Sequence, residues 1–412
     1  MKHLRVGILI ASLELGGAQS MAVRLMDGLD SAGSDVFLLT LDRNQETPLP
    51  GDIARHRHLS QRLIKLSKAD VRWNTIGKAL IAPWQWFKME RFIRRLQLDI
   101  VISFMERANI MNLLSFSARS RIISIRKHPT MALSAKTQFK RGLIIQIYPH
   151  LLHRATRIIF NSKEAAEDFS HLFSTRSDQS SIIYNFCDTK QLRSLSEKTL
   201  PKKFKEIFNQ PVVITSGRLI HAKGQLHLLR VFKVICQRNK KIKLVMIGEG
   251  PLKEKLLQIC KDLRIQDRVF LPGFQTNPMA WVAKACLFVL PSLAEGFPNA
   301  LLEAMALSVP VISTDCWSGP RELLAPGTDP HQKTNHIDNA PYGILIPPLD
   351  GQSYGADEPL TREELLLAEA VETMLNDKSM RTSYAKKAKK RADDFSVEKV
   401  ITQWLQLLEE VS

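Results

Sequence analysis

The chain has few cysteines and no long apolar run. Its 412 residues include five cysteines, an odd number without a Cys-x-x-Cys pair, so neither a disulfide framework nor a zinc site is indicated. A reducing cytosol fits this usage. No segment approaches the ~18 consecutive apolar residues of a membrane-spanning helix. Any membrane contact is therefore expected to be peripheral.

Acidic residues are also scarce relative to basic ones. The chain has 58 Lys and Arg against 41 Asp and Glu, a formal net charge of +17. Residues 1–190 hold 28 basic and 16 acidic residues, a net charge of +12, and no acidic residue lies between Glu106 and Glu164. Anionic partners are expected, mainly for the first half of the chain.

Short apolar runs alternate with longer helical patterns along the chain, which is typical of βαβ units with parallel sheets. This alternation predicts two Rossmann-like, doubly wound α/β domains over 1–190 and 191–395. Residues 396–412 are expected to form a C-terminal helix that crosses back to the first domain. Two segments rich in Pro, Gly, Asp and Asn, 325–342 and 350–359, are predicted loops. The predicted strands are 6–10, 36–41, 100–104, 121–125, 157–160, 212–216, 244–247, 269–271, 287–290, 311–313 and 343–346.

In parallel sheets ligands bind outside the carboxyl ends of the strands, so residues that follow strands are the site candidates. In the first half these are Gly16, Gly17, Glu106 and His128. The glycines allow a ligand to approach the backbone at a helix N-terminus, but they do not form a Gly-x-Gly-x-x-Gly fingerprint, and a plain turn is the alternative. For Glu106 and His128 the alternatives are a solvated carboxylate and a satisfied loop histidine. In the second half the candidates are Arg218, Lys223, Glu249 and the segment 292–300.

Arg218 and Lys223 lie between a predicted strand and a predicted helix. A forked guanidinium, a point charge and the positive end of a helix dipole together suit a diphosphate group. Two solvated surface cations are the alternative interpretation. Farther along, Glu295 precedes a predicted helix whose first turn contains Pro298, and Glu303 lies inside it. Both carboxylates can accept hydrogen bonds from the hydroxyls of an extended ligand, or be ordinary exposed charges.

These segments resemble the retaining glycosyltransferases of family 4, which have the GT-B fold with two Rossmann-like domains facing a cleft. The resemblance covers nearly the whole chain, and the Glu-x7-Glu motif is its most specific part. Similarity to bacterial enzymes that extend lipid-linked oligosaccharides is carried by VISFMERANI at 101–110. The other matching segments are GGAQ at 16–19, SGRLIHAKG at 216–224, VMIGEGP at 245–251, the Pro-Gly-Phe turn at 272–274 and PSLAEGFPNALLEAMA at 291–306.

The resemblance implies a role for each matching residue. Arg218 and Lys223 would hold the diphosphate of a nucleotide sugar, Glu295 would bond sugar hydroxyls, and Glu303 would bind the ribose. Gly273 and Phe274 would lie against the base, and Gly16 and Gly17 would approach the phosphate. His128 is a further catalytic candidate that would bond the sugar or phosphate, and Glu106 would face the acceptor. The backbone near the sugar and phosphates would be that of Gly296, Phe297, Pro298, Asn299 and Ala300.

The first domain's basic excess has three interpretations. The first is an interfacial element on an anionic membrane, because aromatic residues are interspersed with Lys and Arg at Trp73, Trp84, Trp86 and Phe87. The helical spacing of Trp86, Met89, Ile93 and Leu96 instead indicates the core face of a helix, and both can hold because Trp73 and Trp84 lie outside that stripe. Binding to nucleic acid needs only positive charge, but no nucleic-acid module is recognised and none is expected as a partner.

The leading hypothesis is a glycosyltransferase, peripheral on the cytoplasmic face of the cell membrane. It would transfer sugar from a nucleotide-sugar donor, expected to be a UDP-sugar, to a lipid-linked glycan with retention, using no metal and no cofactor. One alternative is a soluble transferase that acts on a protein or a small molecule. The other is a basic nucleic-acid-binding or scaffold protein with a degenerate transferase fold, against which the set of Arg218, Lys223, Glu295 and Glu303 argues.

Overall fold

A computed structural model gives the fold, and it describes residues 4–13, 16–42, 62–67, 75–134, 138–173 and 175–412. Trp73, named above, lies outside these residues. The chain forms two compact units. The first comprises Met1–Asn185 together with Val397–Ser412, and the second comprises Phe186–Ser396.

Each unit contains a seven-stranded sheet whose strands read as short Val, Ile and Leu runs. Such runs suit strands that are buried on both faces, and Ile100–Phe104 and Leu287–Leu290 are buried throughout. The first sheet has β1 (Arg5–Ile10), β2 (Asp35–Thr40), β3 (Leu63–Lys65), β4 (Ile100–Phe104), β5 (Ser120–Ile125), β6 (Arg157–Phe160) and β7 (Ser180–Ile182). The second has β8 (Val212–Ser216), β9 (Lys243–Ile247), β10 (Val269–Gly273), β11 (Leu287–Leu290), β12 (Val311–Thr314), β13 (Asp338–Ala340) and β14 (Gly343–Ile346).

The strand order is β3-β2-β1-β4-β5-β6-β7 in the first sheet and β10-β9-β8-β11-β12-β14-β13 in the second. All pairings between these described strands are parallel except that of β13 with β14. In both sheets the order reverses beside the first strand of the unit, which is the topological switch point where doubly wound sheets bind ligands. The predicted fold class of two doubly wound parallel-sheet domains is confirmed.

Helices cover the sheets. They are α1 (Gly17–Ser31), α2 (Thr75–Arg95), α3 (Glu106–Leu113), α4 (Pro129–Ser134), α5 (Gln138–Leu152), α6 (Lys163–Phe173), α7 (Thr189–Ser196), α8 (Lys202–Lys205), α9 (Gln225–Arg238), α10 (Lys253–Asp262), α11 (Met279–Val282), α12 (Asn299–Ala306), α13 (Pro320–Leu324), α14 (Arg362–Asn376), α15 (Lys378–Ala392) and α16 (Val397–Glu410). Of the helices in the described ranges, none combines the length and the apolar character needed to cross a membrane.

The last helix, α16, packs on α1 within the first unit. Gly28 of α1 permits this close approach, because a Cβ there would lie 2.4 Å from Cδ1 of Ile401 on α16. The helix end is also tied to the sheet, since the Ser120 hydroxyl of β5 donates to the carbonyl of Val411 and Arg157 of β6 lies 3.6 Å from Glu410. The C-terminal residues therefore belong to the sheet that the N-terminal residues build.

All eleven predicted strands are present, but three further strands were not predicted. They are β3, β7 and β13, and β13 shows that the loop prediction for 325–342 was wrong in part. Each has three residues and lies at an edge of its sheet. A strand this short shows no alternation in sequence, and an edge strand needs fewer apolar residues than a central one.

Helix α2 has the predicted core face. Met89 and Ile93 are fully buried between β-strand side chains of the first unit, and Trp86 and Leu96 pack against the same cluster while partly exposed. Trp84 lies outside this stripe, as its spacing predicted, and its side chain is exposed.

Candidate functional site

The loop after β8 carries the two predicted cations of the second unit. It runs from Gly217 to a turn of 3-10 helix at His221–Lys223, and Gly224, with φ at +62°, is the N-cap of α9. A Cβ on Gly224 would lie 1.8 Å from the carbonyl oxygen of Pro291, so glycine is required both by the left-handed backbone and by the close approach. The loop is therefore held against the residues that follow β11.

Lys223 and Glu295, 72 residues apart in sequence, are in direct contact. The Lys223 ammonium donates to Oε1 of Glu295 at 2.5 Å, and the Ser292 hydroxyl donates to the same oxygen at 2.6 Å. The Glu295 side chain is only 7% exposed and that of Lys223 is 25% exposed. The backbone of Glu295 is fixed as well, because its N–H donates to the carbonyl of Trp317 at 2.9 Å. The structure thus joins two separately predicted site residues in a mostly desolvated ion pair.

Arg218 lies on the same loop with its side chain exposed. Its backbone carbonyl accepts a hydrogen bond from the Gln225 side chain at 2.9 Å, which fixes the backbone at the start of α9. Among the described residues, the guanidinium has no hydrogen-bond or ion-pair partner. Its donors are therefore available to an anionic ligand at the carboxyl edge of the second sheet.

Glycines bring three neighbouring strand ends close together. A Cβ on Gly248, which follows β9, would lie 1.9 Å from the carbonyl oxygen of Gly217, and φ at Gly248 is +145°. At the end of β10, Gly273 has φ of +77°, and a Cβ there would lie 2.5 Å from Oε1 of Glu249. Phe274 donates its N–H to this carboxylate at 3.3 Å, and the residue is 41% exposed. An exposed aromatic face therefore stands beside the loop of Arg218.

Glu249, another candidate at a strand end, forms an ion pair with Lys253. The Lys253 ammonium donates to it at 2.9 Å and lowers the pKa of Glu249 below its ordinary value. We interpret Glu249 as a residue that orders the Gly273–Phe274 turn. The described residues contain no group of three His, Cys, Asp or Glu side chains that could hold a metal ion.

Helix α12 begins at Asn299. Pro298 is the N-cap residue with φ −81° and ψ 86°, outside the helical region, so its placement in the first turn was wrong. The preceding Phe297 is 6% exposed and packs its ring 5.6 Å from that of Phe395, which anchors the segment. The N–H of Asn299 donates to Phe297 O at 3.0 Å, and Glu303 lies half-buried about one turn inside the helix.

The candidates of the first unit also follow strands. Gly16 is the N-cap of α1 in extended backbone, and Gly17 begins the helix. Glu106 begins α3 directly after Met105, whose φ of +75° marks a sharp turn, and its side chain is exposed. His128 lies between β5 and α4 and is 4% exposed, with Nδ1 3.3 Å from Oδ2 of Asp168. That carboxylate also accepts from the N–H and hydroxyl of Thr130 and so fixes the imidazole from one side.

Comparison with known proteins assigns the family. The profile described as Glycosyltransferase Family 4 matches residues 15–191, and the profile described as Glycosyl transferases group 1 matches residues 196–338. An uncharacterized glycosyltransferase of Methanocaldococcus jannaschii is 33% identical over 335 residues, which are 78% of this chain and 82% of that relative. The chain belongs to the family 4 glycosyltransferases.

Two further similarities bear on this glycosyltransferase. The N-acetylgalactosamine-N,N'-diacetylbacillosaminyl-diphospho-undecaprenol 4-alpha-N-acetylgalactosaminyltransferase of Campylobacter jejuni is 29% identical over 412 residues, covering 98% of this chain and 99% of the relative. Among solved structures, Anabaena HepE in complex with UDP and glucose aligns with a TM-score of 0.75 at 20% identity, covering 99% of this chain and all of that one. The latter establishes the shared GT-B fold.

One segment of the glycosyltransferase's site was missed from sequence. The loop Asp315–Gly319 follows β12, and a Cβ on Gly319 would lie 2.6 Å from Cδ of Pro298. It supplies the carbonyl of Trp317 that holds Glu295, and burial together with Glu295 raises the pKa of the Cys316 thiol far above its usual range. The strand-end rule that selected the other loops selects this one too when it is applied to β12.

Proposed function

We propose that this glycosyltransferase moves a sugar from a UDP-sugar to a lipid-linked glycan with retention of anomeric configuration. The observation that carries the proposal is the contact of Lys223 with Glu295 and Ser292, beside the exposed guanidinium of Arg218. Lys223 contacts a carboxylate that can bond sugar hydroxyls, and Arg218 lies on the same loop. This combination suits a ligand that is anionic at one end and a sugar at the other.

The proposed chemistry follows from where charge develops. Cleavage of the bond between the anomeric carbon and the diphosphate leaves a full negative charge on the leaving group. Lys223, held by Glu295, and the N-terminal N–H groups of α9 are positioned beforehand and would stabilise this charge with little reorganisation, while the exposed guanidinium of Arg218 would turn to the diphosphate. The departing phosphate would take the proton of an acceptor hydroxyl on the same face of the sugar. The hydroxyl oxygen would then bond to the anomeric carbon from that face, which retains the configuration. Neither a metal nor a cofactor has a step in this scheme.

The remaining residues of the second unit would bind the rest of the donor. Glu295 is held by Ser292 and would accept hydrogen bonds from sugar hydroxyls, while Glu303 would accept them from the ribose. Phe274, exposed after the Gly273 turn, offers an aromatic face to the base. Before a donor binds, Lys223 is paired with Glu295, and the incoming diphosphate would share its ammonium protons.

The acceptor is proposed from charge and similarity together. The Campylobacter jejuni relative, aligned over almost the whole of both chains, is named for a substrate that carries a diphospho-undecaprenol group. The first half of this chain has a net charge of +12, which favours an acceptor with an anionic diphosphate. We propose that this glycosyltransferase likewise acts on a glycan linked to a lipid diphosphate.

The test is a transfer assay with a panel of UDP-hexoses and UDP-N-acetylhexosamines. Each donor is offered with a diphospho-isoprenyl-linked oligosaccharide or with the same oligosaccharide free in solution. We expect turnover with at least one donor, a preference for the lipid-linked acceptor, and an α-linked product from an α-linked donor by NMR. Turnover in EDTA tests the metal-free scheme. An inverted product would contradict retention, and no turnover with any pair would contradict the proposed function.

We further propose that α2 rests on an anionic membrane surface. Leu80, Trp84 and Phe87 are 77%, 58% and 55% exposed, and their spacing of four and three residues puts them on one helix face. The rings of Trp84 and Phe87 stack at 6.2 Å, and the Lys88 ammonium lies 5.3 Å from the Trp84 ring. Aromatic rings beside cations suit the headgroup region of anionic lipid.

Changing Trp84 and Phe87 together to Ser is expected to weaken binding to vesicles that contain phosphatidylglycerol by about 10- to 100-fold, because two large apolar side chains no longer insert. Vesicle co-sedimentation at two salt concentrations measures this. The matched control is Leu365→Ser, which changes a side chain 54% exposed on α14 of the other unit and should leave binding unchanged. Equal binding of wild type and double variant, or binding indifferent to anionic lipid, would exclude α2 as the membrane surface.

A further inference from the structure

Among the described residues, Arg126 is a partly buried cation without a counter-charge. It follows β5 directly, and its guanidinium carbon lies 5.1 Å from the centre of the Phe104 ring at the end of β4. Within the described part of the chain it makes no hydrogen bond and no ion pair. Burial alone lowers the pKa of Arg126 to about 9. The side chain is thus partly desolvated, and no described residue accepts a hydrogen bond from its donors.

This arrangement is costly in the chain without a ligand. A cation–π contact contributes about 0.5–2 kcal/mol, whereas a fully buried, unpaired charge loses several kcal/mol of hydration, and the partly buried Arg126 loses a share of that. Arginines buried in this way normally face a carboxylate, and here none is within reach among the described residues. A forked guanidinium at the carboxyl end of a parallel strand is suited to bind a phosphate group with two hydrogen bonds.

A second unsatisfied group lies beside it. Ile125 of β5 pairs with Phe160 of β6, so Arg126 and Asn161 are the next residues along two adjacent parallel strands, about 5 Å apart at the backbone. Asn161 is 2% exposed, and its side-chain oxygen has no hydrogen-bond partner among the described residues. Buried amides are almost always satisfied, so an unsatisfied one at a strand end indicates a missing ligand group.

We propose that Arg126 and Asn161 form a subsite of the first unit that binds a sugar phosphate, with Arg126 donating to the phosphate and the Asn161 amide bonding an adjoining hydroxyl. The ligand's identity rests on the proposed function: the phosphate belongs to the lipid diphosphate of the acceptor. The nucleotide donor is the other source of the same chemistry. This adds a phosphate site that the donor-binding residues of the second unit do not provide.

Calorimetric titration of the full chain with farnesyl diphosphate, farnesol and UDP distinguishes the sources. Arg126→Met is expected to lower the affinity for farnesyl diphosphate by about 10- to 100-fold, because a charge-assisted pair of hydrogen bonds is lost. The affinity for UDP should stay unchanged. A lower affinity for UDP together with an unchanged affinity for farnesyl diphosphate would assign the subsite to the donor instead. If both affinities stay the same, or if wild type binds farnesol as well as farnesyl diphosphate, the subsite does not exist.

The matched control is Arg119→Met, which removes the same charge from the same unit at a side chain 78% exposed and should change neither affinity. Asn161→Asp is a second variant that keeps the Arg126 side chain and the size of the side chain at position 161. The new carboxylate should pair with Arg126 and repel the diphosphate, so farnesyl diphosphate should bind more weakly although the fold is retained. Because titration needs no turnover, its outcome is independent of the transfer assay, and a chain inactive with every donor can still pass this test.

Thermal unfolding without ligand separates a binding role from a structural one. Arg126→Met removes an unpaired, partly buried charge, and Asn161→Asp gives that charge a partner, so each variant should stabilise the free protein and raise Tm by about 2–4 °C. A residue retained for packing would give a lower Tm. A lower Tm in both variants with unchanged farnesyl diphosphate affinity would assign Arg126 a structural role and overturn the proposal.

Discussion

Lys223→Ala is expected to lower kcat by about 10²- to 10³-fold, the usual loss when one fixed group that stabilises a developing negative charge is removed. The ammonium lies 2.5 Å from Glu295 on a loop whose backbone is fixed at Gly224, so a cation elsewhere on the chain could not take its position without rebuilding the loop. Single-turnover measurements with saturating donor test the chemical step directly. The KM for donor should rise much less than kcat falls, because the charge that Lys223 stabilises is largest in the transition state.

The control for Lys223→Ala is Arg238→Ala, which removes the cation of an exposed ion pair with Glu372 at 2.6 Å in the same unit. An exposed pair contributes about 0–1 kcal/mol, so this variant should keep both its stability and its turnover. Circular dichroism and thermal unfolding verify that Lys223→Ala remains folded. Near-normal turnover of folded Lys223→Ala would remove this residue from the catalytic site and weaken the proposed function as a whole.

The sheets were the most predictable part of this protein, and the reason is burial. Strands such as Ile100–Phe104 and Leu287–Leu290 are apolar at almost every position because helices cover both faces of the sheet. The three strands that sequence did not reveal, β3, β7 and β13, lie at sheet edges, where pairing on one side suffices and polar residues are tolerated. Sequence patterns thus report how deeply a strand is buried more reliably than whether it exists.

The candidate site was predictable at its strand ends, while its contacts required the fold. The strand-end rule selected Lys223 and the segment 292–300 separately, but nothing in the sequence joins residues 72 positions apart into an ion pair. The hydrogen bond from the Glu295 N–H to the Trp317 carbonyl was not predicted, since every residue has a backbone carbonyl and residue type does not indicate which one accepts. Likewise, Arg126 has no carboxylate partner among the described residues, and this can be recognised only when the fold is known.

Glu295→Gln completes the test of the Lys223 pair, because the two variants should differ in stability and agree in catalysis. The amide oxygen that this substitution introduces can still accept the hydrogen bond from Ser292, and the Lys223 ammonium, 25% exposed, can turn to water. The stability loss should therefore stay below about 1 kcal/mol. Lys223→Ala instead removes the cation from the Glu295 carboxylate, which is only 7% exposed. This should lower the free energy of unfolding by about 1–3 kcal/mol.

In catalysis Glu295→Gln should lower kcat by about 10²-fold, because the sugar loses a charged acceptor and Lys223 loses its fixed position. The double variant should be no slower than Lys223→Ala within about threefold, since residues that act as a unit are not additive. It should also regain most of the stability that Lys223→Ala loses, because the stranded charge is gone. If the two kcat losses multiply instead, Lys223 and Glu295 act at separate points of the substrate, and the 2.5 Å contact between them exists only in the donor-free protein.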